Sequence, residues 1–126
     1  MSMTIASNAY LSQALNALDA TGAPVNLGAF TGICSASPGT PNTGANEFTG
    51  GGYARQASTW SSSSAGSAKT NSSALSVTNA GTTAATHFST FSAVTVGTPG
   101  LGGPLTSPVT AATITFAAGS LSLSAS

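Results

Sequence analysis

Residues 24–34 read PVNLGAFTGIC, a run in which Val25, Leu27 and Ala29 alternate with Asn26 and Gly28 and which continues through Cys34 until Pro38 and Pro41 stop it. A period of two belongs to a half-buried strand, because successive side chains of a strand point to opposite faces. Immediately upstream the period is different. SNAYLSQALNALDATG, residues 7–22, sets Leu11, Leu15 and Leu18 at helical spacing, with Ser7 or Asn8 to cap the start and Gly22 past the end. This predicts one amphipathic helix over about 8–19, followed by strands from about 25 onward. Downstream, YARQASTW (53–60), SSALSV (72–77), HFSTFSAV (87–94), VTAATITF (109–116) and SLSLS (120–124) are short segments bounded by Gly, Pro, Asn or Ser clusters. Leu75 and Val77, Ile114 and Phe116, and Leu121 and Leu123 each sit two apart. The expected fold is all-β: a single domain over 1–126, an antiparallel, jelly-roll-like β-sandwich of six to eight strands behind one short N-terminal helix. The stretch 61–73 lacks alternation and reads as a mobile loop, with Ser61–Ser64 its least ordered part.

Composition narrows the function. Charged residues make up 3% of the 126, against roughly a quarter in ordinary domains, and the net charge is zero. The mean hydropathy of +0.25 and hydrophobic content of 40% argue for a folded chain rather than a disordered one. A surface without net charge lacks colloidal repulsion, so the chain is expected to associate with itself or to live in an assembly. Two cations, Arg55 and Lys69, balanced by Asp19 and Glu47, do not make a nucleic-acid footprint. No apolar run has the length of a membrane span, and MSMTIASNAY has no secretion-signal pattern, so synthesis in a cytosol is expected.

The residues that could carry chemistry are few. His87 is the only imidazole, there is no G-x-S-x-G elbow, Asp19 and Glu47 fall in different elements, and metal-ligand types are scattered, so no catalytic, cofactor or metal site is expected. Cys34 is alone and reads as a small buried residue beside Ile33. Asn71-Ser72-Ser73 matches a glycosylation acceptor by chance.

The remaining question is why Glu47 and Arg55 sit eight residues apart across Gly50, Gly51 and Gly52. If YARQASTW is a strand, Arg55 is in its middle, with Tyr53, Ala57 and Thr59 on the same face. The loop ending in Glu47 can then fold back to give Arg55 a planar acceptor, and the glycines permit that return. An exposed pair of this kind would add about 0–1 kcal/mol and would mainly fix the loop's shape.

GANEFTGGGYARQASTW (44–60) resembles the segment G-x-N-E-V-x-G-G-x-Y-x-R-Q of a family of small tailed-bacteriophage virion proteins, often labelled tail fibre proteins, in phages of actinobacteria. The resemblance extends to ASPGTPNTG (36–44), AGSAKTNSSALSV (65–77), THFSTF (86–91) and TITFAAGSLSLS (113–124). Glu47, Gly50, Tyr53, Arg55 and Gln56 carry its most specific part and are expected to be structural. The resemblance implies a non-enzymatic virion protein whose partners are phage coat or tail proteins. Within that class, a fibre needs a shaft of repeats or heptads, and this sequence, starting at Met1, shows neither, which favours a capsid decoration (cement) protein on the outer virion surface over a tail-fibre or tail-tip module contacting the host. Leu11, Leu15 and Leu18 are the expected assembly face, presented several times over by a homo-oligomer, most simply a trimer.

Overall fold

The computed structural model describes residues 5–17, 22, 25–61, 69–79 and 83–123. Among them, nine strands and one helix run in the order β1 (Ile5–Ala6), α1 (Asn8–Ala17), β2 (Phe30–Cys34), β3 (Gln56–Ala57), β4 (Lys69–Thr70), β5 (Leu75–Thr78), β6 (Ala85–Phe91), β7 (Pro99–Val109), β8 (Thr113–Phe116) and β9 (Ser122–Leu123). All pairing is antiparallel. One layer is a five-stranded sheet of order β1-β7-β6-β2-β3; against it lie two ribbons, β5-β8 and β4-β9. The sandwich core is where the layers meet: Ile33, Phe88 and Leu101 from the sheet touch Leu75, Val77, Ile114, Phe116, Leu121 and Leu123 from the ribbons.

The alternation read from the sequence places these residues. Along β5, Leu75 and Val77 are buried while Ser76 and Thr78 are exposed; along β8, Ile114 and Phe116 are buried while Thr113 and Thr115 are exposed. The ladder sets Leu75 opposite Phe116 and Val77 opposite Ile114, so each inward pair is also a cross-strand pair. Strand β2 is shorter than its alternation suggests. It begins at Phe30, and Val25 is 56% exposed.

The longest strand, β7, is the one the sequence conceals. Its PGLGGPLTSPV has three prolines and three glycines, a composition that argues against a strand. The glycines are there because neighbours come too close for a side chain. A methyl on Gly102 would stand 2.6 Å from the Phe88 carbonyl, and one on Gly100 would stand 2.5 Å from that of Leu27. Where the β6–β7 register shifts between Ser89 and Phe91, the Thr90 hydroxyl takes over the ladder, accepting from Leu101 N–H and donating to Leu101 C=O, each at 3.0 Å. Packing and side-chain capping thus override local propensity.

Helix α1 is capped by Ser7, whose Oγ accepts from Tyr10 N–H at 3.0 Å. Its contact with the core is Tyr10, not leucine: Leu11 is 48% and Leu15 70% exposed. Leu18 and Asp19 lie outside the described residues, as do 62–68 of the stretch expected to be a loop. The rest of that stretch is ordered by Asn71, which is 1% exposed. Its Nδ2 donates to the Ser73 and Ala117 carbonyls at 3.0 Å each, and its Oδ1 accepts from Leu121 N–H at 2.9 Å. That amide is fully used inside the fold, so the Asn71-Ser72-Ser73 pattern is not an open acceptor.

Candidate functional site

The 42–55 loop begins at Asn42, a buried side chain whose Nδ2 donates to Ser89 Oγ (2.9 Å) and to the Gly100 carbonyl (3.3 Å) and whose Oδ1 accepts from Gly44 N–H (2.9 Å). Its own N–H donates to the Ala6 carbonyl at 2.8 Å, joining the loop to β1. The chain then returns to β2. Ser35 N–H reaches the Asn46 carbonyl at 3.0 Å and Phe48 N–H reaches the Ile33 carbonyl at 3.1 Å, which sets Glu47 beside Cys34. The reversal that follows uses three left-handed residues in succession, Gly50 (φ 76°), Gly51 (φ 61°) and Gly52 (φ 86°), where side chains would be strained. That is the reason for the triple glycine.

Tyr53 and Arg55 come out of the turn aimed at Glu47. Arg55 donates from Nε to Oε2 and from Nη2 to Oε1, both at 2.8 Å, a bidentate fork, while Tyr53 Oη donates to Oε2 at 2.6 Å. Arg55 Nη1 continues to the carbonyls of Ala93 (2.9 Å) and Val96 (2.7 Å), and its Cζ lies 3.5 Å from the centre of the Phe91 ring. Tyr53 Oη also accepts from Ile33 N–H at 3.2 Å. The clamp thus ties the 42–55 loop to β2 and to the 92–98 turn. Room for it exists because residue 32 is glycine: a methyl there would overlap Tyr53 Oη and come within 2.8 Å of Glu47 Oε2.

Two details differ from the sequence reading. Arg55 is not mid-strand, because β3 is only Gln56–Ala57 and residues 53–55 are irregular; the approach of the Glu47 carboxylate, not a ladder, fixes this segment. Nor is the pair exposed, since the Arg55 and Glu47 side chains retain 11% and 15% of their accessibility. Gln56, expected to be structural with them, turns to its own segment and donates to the Ala54 carbonyl at 3.2 Å. Gly50 serves the turn, and Leu11 and Leu15 are on a different part of the molecule, so the expected structural and assembly residues form two separate groups.

The electrostatics follow from burial. Burial, then the Glu47 hydrogen bond and charge, push the Tyr53 phenol well above its ordinary range, so it stays a donor. The Cys34 thiol is pushed up to about 12, first by burial and next by the Glu47 charge, with Arg55 opposing. His87 is held below its ordinary value by burial, and its Nδ1 shares a 2.9 Å hydrogen bond with Thr86 Oγ1. Three donors meet the two oxygens of Glu47, which accepts from both Arg55 and Tyr53. Among the described residues no three His, Cys, Asp or Glu side chains come together as a metal site, and no helix is long and apolar enough to cross a membrane.

Two grooves lie on the surface of the described residues. One, of about 570 Å³, runs between Tyr10 and Ala14 of α1 and the segments holding Leu27, Trp60 and Leu101; its Trp60 Nε1–H is already donated to the Gly28 carbonyl at 3.0 Å. The other, of about 860 Å³, lies between β7 residues 104–109 and β8. Sequence reasoning missed Asn42, Asn71 and the Val96 carbonyl. Nothing in PNTG or TNSS separates a buried amide from a turn residue. Val96 carried a signal only in the Gly97 that follows it.

Compared with known families, residues 2–124 match the model of the podophage GP4 fiber I protein gp80. The chain belongs to that family. Membership places it among phage fibre-type structural proteins of the virion, and the Glu47–Arg55 clamp is how this member holds the loop between β2 and β3. A search of curated proteins finds no match.

Proposed function

We propose that this protein is a non-enzymatic decoration protein on the outer surface of a tailed-phage capsid, acting as a homo-oligomer. The observation that carries the reading is the closed network at 42–55. The acid, the base and the phenol that could perform chemistry are consumed in holding one another, which suits a loop selected for shape. Internal pairing of Glu47 and Arg55 also removes two of the few charges from recognition, and Lys69 Nζ donates to the Ser61 carbonyl at 2.9 Å. The reading therefore gives the protein no nucleic-acid or membrane partner, and coat protein is met through apolar and hydroxyl surface. Leu11 and Leu15, exposed on a helix otherwise anchored by Tyr10, are the contact that a groove on the coat would take up.

A second reading is a tail-fibre or tail-tip module touching the host, and the family description, which names a fiber protein, favours it. Copy number per purified virion separates the two: a count matching the capsid's symmetry sites supports decoration, and a handful per particle supports the tail. The attachment contact is tested by a Leu11→Ser, Leu15→Ser double variant, which should lose capsid binding with its β-sheet spectrum intact; unchanged binding overturns the helix contact. Removing residues 1–20 is a poorer test, because β1 pairs with β7 and the Ala6 carbonyl holds Asn42.

A further inference from the structure

Strand β8 has β5 as its only strand partner among the described residues. The phase of that ladder shows which backbone groups are left over. Asn79 N–H donates to the Ala112 carbonyl at 2.8 Å, which makes those two a hydrogen-bonded pair just beyond the strand ends. Antiparallel pairs alternate in kind, so Val77–Ile114 and Leu75–Phe116 are also hydrogen-bonded, whereas Thr78–Thr113 and Ser76–Thr115 are not. The 3.2 Å contact between Ser76 Oγ and Thr115 Oγ1 fits the closer approach of a non-hydrogen-bonded pair. Thr113 and Thr115 therefore turn their N–H and C=O groups away from β5, and these groups meet no partner among the described residues.

The far side of that edge is not closed by β7. Pairing of β7 with β6 passes from His87–Pro104 to Ala85–Val109, so Leu105, Thr106, Ser107 and Pro108 stand opposite Thr86 alone. The groove of about 860 Å³ occupies the gap, with β8 as one wall and Leu105, Thr106 and Val109 in the other. Exposed edges are ordinarily guarded by charge, proline, a bulge or a covering segment. TITF has no charge and no proline, and from Thr70 to Ser126 the chain contains no Asp, Glu, Lys or Arg.

We infer that β8 is the strand through which two copies of this chain join, pairing antiparallel with the same strand of the partner across a two-fold axis to make a continuous β5-β8-β8-β5 sheet. The inference rests on the homo-oligomer reading above and gives it a contact; as a two-fold contact, it yields a dimer where the sequence alone favoured a trimer. Open N–H and C=O groups alternating along an extended segment are satisfied by another extended segment, which fixes the class of occupant. A second copy is the occupant because antiparallel pairing of a strand with itself is complementary by symmetry. Thr113 comes to lie opposite Thr115 of the partner subunit, with open groups facing open groups. Charge agrees, since two neutral edges meet without repulsion, while a charged partner strand would find no counter-charge along either wall.

The test uses the full chain in the absence of capsids. Sedimentation equilibrium should show a wild-type dimer, and Thr115→Pro should weaken association at least about tenfold, because it removes an open N–H without removing a β5 bond. Amide exchange on the unaltered chain keeps the test independent of how that variant folds: the Thr113 and Thr115 amides should be protected at high concentration and lose protection on dilution. Association of Thr115→Pro equal to wild type, or exchange at these amides independent of concentration, overturns the strand contact and leaves the oligomer reading standing. A chain that stays monomeric at every concentration overturns both, while capsid location is decided separately by copy number.

Discussion

The 42–55 loop and the β7–β8 corner are both irregular in backbone, and they dispose of polar groups in opposite ways. In the first, a carboxylate, a guanidinium, a phenol and an asparagine amide satisfy one another and the backbone around them, and among the described residues no buried side-chain polar atom lacks a partner. In the second there is no charge at all, and the peptide groups of Thr113 and Thr115 remain open. One region keeps its shape without help. The other has its hydrogen bonding completed only from outside, so loss of a side chain should be costly in the first and nearly silent in the second.

The largest break should come from Arg55→Ala. Truncating one member of a mostly buried pair leaves the Glu47 carboxylate uncompensated, which costs about 3–5 kcal/mol, well above the value for an exposed pair. The midpoint of urea unfolding measures it, and a shift under 1 kcal/mol would show that water already screens the pair. Gly32→Ala should cost about 1–3 kcal/mol by forcing a methyl against Tyr53 Oη and Glu47 Oε2. If the same denaturation curve is unmoved, the clamp is looser than its distances say. Val96→Gly runs the other way. Val96 holds φ 56°, a strained angle for a β-branched residue, with its side chain 85% exposed while its carbonyl serves Arg55, so glycine should add about 1 kcal/mol in calorimetry. A loss instead would mean that the valine side chain does something its exposure hides. Smallest of all, Ser107→Asp, on the open wall of the corner, should stay within about 0.5 kcal/mol. A cost comparable to Gly32→Ala would erase the contrast between the two regions.

The legible part of the fold was the part governed by side-chain period. Leu75 and Val77, Ile114 and Phe116, and Leu121 and Leu123 all read as inward from spacing alone, and all are buried. Strand β7 was not legible, because its glycines answer to the proximity of Phe88 and Leu27, residues distant in sequence. In the site, the Glu47–Arg55 pairing was readable from the scarcity of charge and the glycine turn between. Its depth was not, since the carbonyls of Ala93 and Val96 and the ring of Phe91 come from the end of β6 and the turn after it, some forty residues away. The leucine spacing marked the helix, and Leu11 and Leu15 are exposed as an assembly face requires; the core contact through Tyr10 carried no signal in that spacing.

Cys34 has a consequence for the lifetime of a particle. Its sulfur is fully enclosed, and the neighbouring carboxylate discourages ionisation, so almost no thiolate forms in neutral water. Thiolate is the species that peroxide and dissolved oxygen attack and that exchanges with other sulfurs. In aerated surroundings the chain would therefore not be cross-linked to its neighbours through Cys34 as the particle ages.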